Sequence, residues 1–108
     1  MKHSDKIVVF VTASSEEEAS NIANRLLEHG KAACVNIVSE VDSFFWWQDK
    51  LDSSKEKLLI IKSKESVLPD IIKLVKDIHS YKVPEIIALP IVGGNEDYLE
   101  WIDTEVKD

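Results

Sequence analysis

The run Ile7-Val8-Val9-Phe10-Val11 is continuous, apolar and mostly β-branched. It is too short for a helix, and its composition suits a central strand buried on both faces. Polar residues follow: Ser14-Ser15-Glu16-Glu17-Glu18 carries the capping-box spacing in two frames, with carboxylates where a helix dipole is positive. The spacing predicts a helix from this point, because Ala19, Ile22, Ala23, Leu26 and Leu27 recur with helical period and Gly30 supplies a left-handed stop.

From Ala33 the period changes to two, which predicts one unusually long strand running to Trp47. Strict alternation would put Ala33, Val35, Ile37, Val41, Phe45 and Trp47 on one face, and Cys34, Asn36, Glu40 and Asp42 on the other. Gln48-Asp49-Lys50 reads as a turn and Leu58-Leu59-Ile60-Ile61 as the returning strand of a hairpin. A second helix follows, with Ser66 as its expected N-cap, Pro69 in its first turn, and Leu68, Ile71, Ile72, Val75 and Ile78 along one face. Tyr81 to Pro84 ends it, since proline disfavours helical geometry in the residue before it. Ile86 to Val92 reads as a strand in which Pro90 implies an edge or a strand end. Gly93-Gly94 turns the chain, Asn95 caps, and Tyr98, Leu99, Ile102 and Val106 stripe a last helix.

The order is β-α-β-β-α-β plus a terminal helix, which predicts an α+β, ferredoxin-like split β-α-β fold: an antiparallel sheet with helices on one face. Residues 1–108 form a single domain on this reading. The second and fourth strands would lie at the sheet edges. A long apolar edge is an aggregation hazard unless another chain covers it, so the stretch to Trp47 argues for self-association.

These residues resemble the CutA family, the divalent-ion tolerance proteins, over essentially the whole chain. The matching pieces are Val11-Thr12-Ala13, Ala32-Ala33-Cys34-Val35-Asn36-Ile37, Ser43 with Trp47 and Lys50, His79 with Tyr81, Pro84-Glu85-Ile86-Ile87, Pro90-Ile91, Tyr98-Leu99 and Trp101-Ile102. The resemblance implies a homotrimer of ferredoxin-like protomers, with long hairpins pairing between subunits, and a role in tolerance of copper and other divalent cations. The chain departs from the family pattern at three places. Val11 stands where some members carry a cysteine proposed to bind copper, His79-Ser80-Tyr81 stands for the usual His-Pro-Tyr, and Asp49 replaces the usual glycine of the hairpin turn.

Composition and charge narrow the function classes. With 13 Lys+Arg against 20 Asp+Glu, the formal charge of -7 repels phosphate backbones and anionic lipid heads, so neither nucleic acid nor membrane is an expected partner. The single cysteine excludes an intramolecular disulfide and an all-cysteine zinc cage within one chain. Met1 to Ile7 is polar and charged, unlike a signal-peptide core, which leads to the expectation of a cytoplasmic protein.

Candidate chemistry is sparse. His79 at the end of the second helix could bind a borderline cation such as Cu(II) or Zn(II), with Glu85 beyond Pro84 as its nearest expected partner. Cys34 is a secondary soft ligand, although a free strand cysteine is more often a small buried hydrophobe. Phe44, Phe45, Trp46 and Trp47 place aromatics on both faces of the hairpin, which favours core plus oligomer interface over a ligand-stacking platform. Glu16, Glu17 and Glu18 read as cap charges, and His3 and His29 as solvated side chains. No nucleophile, base and orienting acid come together locally, and Gly93-Gly94 lacks the pattern of a nucleotide cradle. The expectation is therefore a non-catalytic, trimeric metal-responsive binding protein, requiring no cofactor and engaging copper or another divalent cation. A small-molecule signalling module of PII-like architecture and a trimeric scaffold for another protein are the alternatives.

Overall fold

Lys6–Ala13 (β1) forms the strand foreseen around Ile7, and its side chains alternate as a half-buried strand should, with Ile7, Val9 and Val11 turned into the core. Val8 and Phe10, on the opposite face, are only partly covered within the chain, so β1 is not buried on both faces. The computed structural model describes residues 5–108, and His3 lies outside them.

Glu16–Glu28 (α1) follows, then Cys34–Trp47 (β2), Lys50–Lys64 (β3), Leu68–Ile78 (α2), Ile86–Pro90 (β4) and Glu96–Glu105 (α3). The sheet order is β2-β3-β1-β4, with every neighbouring pair antiparallel. This is the split β-α-β arrangement, and it leaves β2 and β4 at the edges. Ile22 and Leu26 of α1, Ile71 and Val75 of α2, and Ile102 of α3 are fully buried in one cluster with Val9, Val11, Leu59 and Ile61 of the sheet. Each such side chain contributes about 1.5–3 kcal/mol relative to exposure.

Two further local expectations are corrected. The pairing of β2 with β3 runs Cys34↔Lys62 to Val38↔Leu58 and resumes at Val41↔Glu56, so β2 carries one extra residue at a bulge. A bulge shifts the alternation, and the single face expected for β2 is therefore split. Val35 and Ile37 lie beside Ile61 and Leu59 on the core side, whereas Val41, Phe45 and Trp47 share the face of Glu56, Asp52 and Lys50. The second correction concerns Ser66. A 3-10 turn over Glu65–Val67 precedes α2, Val67 occupies the cap position without a side-chain bond, and the Ser66 hydroxyl donates to Asp108 at 2.8 Å.

The hairpin turn occupies Gln48 and Asp49, with φ of 49° and 64°. Positive φ at both central residues is the twist-matched geometry of two-residue hairpins. Gly30, at φ 70°, ends α1, and its carbonyl accepts the Lys107 amide at 2.7 Å, which fastens the C-terminal segment to the rest of the fold.

Candidate functional site

Four pieces of backbone converge at one end of the sheet: the last residues of β1, the cap of α1, the residues after α2 and the middle of β3. Ser15 caps α1 by accepting the Glu18 amide at 3.1 Å. Glu18 turns back in the manner of a capping box, but one of its oxygens reaches the amide of Ser14 at 2.9 Å and the Ser14 hydroxyl at 3.1 Å. Its other oxygen accepts the Ser80 amide at 2.7 Å, which joins α1 to the chain leaving α2. Burial pushes the Glu18 carboxyl upward, and the bonds from Ser14 and Ser80 outweigh it and hold the group below the ordinary glutamate value of 4.5.

His79 is the C-cap of α2, and its side chain is 0% exposed. Its Nε2 lies 2.7 Å from the Thr12 carbonyl, and its Nδ1 accepts the Tyr81 amide at 2.9 Å. A carbonyl only accepts and an amide N–H only donates, so the ring is a neutral imidazole with its proton on Nε2. A Glu18 oxygen stands 3.9 Å from Nε2. Tyr81 packs against the imidazole with ring centroids 4.8 Å apart and donates its hydroxyl to Glu56 at 2.8 Å. Burial first, then Glu56, pushes the Tyr81 phenol up to about 12. Beside this cluster, and sharing Ser15 and Glu18 with it, a shallow depression of about 380 Å³ is lined also by Glu17, Asn21 and Ile78.

The carboxylate at His79 is thus Glu18, whereas Glu85 is exposed. Cys34 is partly buried on β2, with its thiol 3.9 Å from the Asn36 side chain. It neighbours Tyr98, whose hydroxyl is raised by burial and then by the thiol. Among the described residues no three His, Cys, Asp or Glu side chains form a group able to hold a metal, so His79, Glu85 and Cys34 are not brought together as a ligand set within one chain. Glu16, Glu17 and His29 are exposed.

Sequence reasoning placed Glu18 in the cap but missed its reach to Ser80, and it did not single out Thr12 or Glu56. The capping-box spacing carried the only local signal for Glu18. Nothing near Glu56 in the sequence announces a tyrosine 25 residues away as its donor.

The four aromatics of the hairpin stand away from the core. Phe44 is 80% exposed, Trp46 71% and Trp47 58%. Register puts Phe44 and Trp46 on one face beside Ser53 and Leu51, and Phe45 and Trp47 on the other. At its base Lys55 pairs with Asp42 at 3.0 Å and Glu40 at 3.6 Å.

A family described as "CutA1 divalent ion tolerance protein" matches residues 7–105. Among curated relatives, the rice "Protein CutA 1, chloroplastic" is 45% identical over 102 residues, covering 94% of this chain and 58% of its own length. The chain thus spans little more than half of that plant relative. A solved structure of the divalent cation tolerance protein from Thermus thermophilus superposes with a TM-score of 0.93 at 42% identity, over 94% of this chain and 99% of the other. One from Archaeoglobus fulgidus, described as a periplasmic divalent cation tolerance protein, gives 0.92 at 42% identity over 94% and 99%. These descriptions overturn the expectation of a plain cytoplasmic location, because chains with this domain are described as chloroplastic and periplasmic. The same domain is thus described from more than one compartment, and the polar residues before Ile7 do not decide between them.

Proposed function

Because the chain belongs to the CutA1 divalent ion tolerance family, we propose that it is a non-catalytic, metal-responsive tolerance protein that works as a homotrimer and engages copper or another divalent cation. The observation that carries this reading is the hairpin: a tip with Phe44, Trp46 and Trp47 of edge strand β2 and Leu51 of β3 all more than half exposed, where the outer backbone groups of β2 meet no partner strand among the described residues. Large exposed apolar surface and a long open edge both mark a contact with another chain, and a second and third copy of the same hairpin supply the matching edge. The half-covered sheet face around Val8, Phe10, Leu58 and Ile60 lies on the side of Phe45 and Trp47 and adds apolar surface there.

The residues of one chain do not fit a resident cation, since no three suitable donors converge among the described residues. Structural and catalytic sites for borderline ions need three or four donors. A cation engaged by this protein is therefore held by groups pooled from several copies. The non-catalytic reading is supported by the polar cluster itself: His79 spends both ring nitrogens on backbone groups and has none left to move a substrate proton.

The test combines sedimentation equilibrium with equilibrium dialysis against Cu(II), Cu(I) and Zn(II). A species of three times 12.2 kDa at micromolar concentration that retains divalent cation supports the proposal. A 12.2 kDa monomer, or a trimer that retains none of the three ions, refutes the corresponding half of it.

A further inference from the structure

We infer that His79 is a positioning residue and not a cation ligand: its neutral ring fastens the chain that leaves α2 to the end of β1 and so sets Tyr81 against Glu56. A metal ion binds an imidazole through an unprotonated nitrogen lone pair. On Nε2 that position is taken by the proton given to the Thr12 carbonyl at 2.7 Å, and on Nδ1 the lone pair already accepts the Tyr81 amide at 2.9 Å. Ligation at either nitrogen would strand a backbone partner, and the side chain has no exposed surface by which an ion could enter.

The neighbouring carboxylate is committed in the same way. Glu18 accepts from the Ser14 amide, the Ser14 hydroxyl and the Ser80 amide, so both of its oxygens are engaged by donors of the chain itself. A proline after His79 has no amide hydrogen, whereas Ser80 donates one to Glu18 at 2.7 Å and brings its hydroxyl within 3.3 Å of that of Ser14. The fastening in this chain therefore includes a bond from α1 that a proline at position 80 would remove. From His79 the restraint passes to Tyr81 through its amide and the ring contact, and from the Tyr81 hydroxyl to buried Glu56 on β3.

Long-range 1H–15N spectra of histidine-labelled full chain, titrated with Zn(II) alone, test the inference directly. Both His79 nitrogens are expected to keep the neutral, Nε2-protonated pattern at zinc concentrations that perturb exposed His29. Movement of either His79 nitrogen to a metal-bound position overturns it. Amide exchange supplies the positional readout: His79→Gln, which keeps one donor and one acceptor, leaves Tyr81 protected, while His79→Leu raises Tyr81 exchange about tenfold or more. Parent-like exchange in His79→Leu also overturns the inference. If His79→Leu does not fold, the zinc titration of the parent still decides. The inference is independent of the trimer proposal, since zinc bound elsewhere with His79 unmoved leaves both standing.

Discussion

The Glu18 carboxylate accepts the Ser80 backbone amide at 2.7 Å, across 62 positions of sequence. One carboxylate thus completes the N-terminus of α1 and captures the chain just after the C-terminus of α2. Its low pKa is a direct consequence of this double duty, because each of its donors favours the charged form.

Glu18→Gln is expected to destabilise the fold by about 1–3 kcal/mol at neutral pH, the usual cost of losing charge-assisted bonds in a partly buried site. The pH dependence has a definite sign. Glu18 is held below its ordinary value in the fold, so its contribution is complete above the unfolded value of 4.5 and is lost as pH falls through the lowered folded pKa. Urea unfolding across acid pH should therefore show the parent losing more stability than Glu18→Gln, and parallel curves would contradict this.

Tyr81→Phe removes the donor to buried Glu56 and should cost about 1–3 kcal/mol, with most of the loss absent in the Glu56→Ala background, which has no acceptor. Because the phenol is raised to about 12, its neutral form contributes stability that is fully present below about 10 and lost as pH rises through 12. Ultraviolet titration of the parent should show a late-ionising tyrosine that disappears in Tyr81→Phe.

Gly30→Ala places a Cβ 2.8 Å from the Lys107 Cγ at a backbone φ of 70°. The left-handed conformation alone costs about 1–2 kcal/mol for a residue with a Cβ, while the flexible Lys107 side chain can move aside. A lowered thermal midpoint is expected, and an unchanged one would show that the α1 terminus adjusts.

Asp49→Gly should work in the opposite direction. With φ of 64° in a two-residue hairpin turn, Asp49 bears a strain that glycine does not, and about 1 kcal/mol of stabilisation is expected in denaturant unfolding.

Trp47→Ala separates the chain from its proposed assembly. The side chain is 58% exposed in one chain, so its loss should scarcely affect the protomer's own core. Buried against neighbouring copies, the same truncation costs about 3–5 kcal/mol per site. Sedimentation should then show dissociation at concentrations where the parent stays assembled, and parent-like sedimentation would place Trp47 outside the contact.

The sequence by itself determined the elements and their order. The periods around Ile7, Ala19, Val35 and Ile71, the stop at Gly30 and the turn before Lys50 are set by near neighbours, and local backbone sterics act on them directly. The edge positions of β2 and β4 followed from that order. Only the tertiary structure decided the rest. The bulge between Val38 and Val41 turns Phe45 and Trp47 away from the face of Val35, because the pairing with β3, and not the alternation within β2, fixes which way each side chain points. Ser66 leaves the cap of α2 for Asp108, 42 positions away. The surroundings of His79 were equally illegible: Thr12, Glu18 and Tyr81 meet on it because α1 and the end of α2 close over the last residues of β1, and a histidine's role depends on which groups reach its two nitrogens.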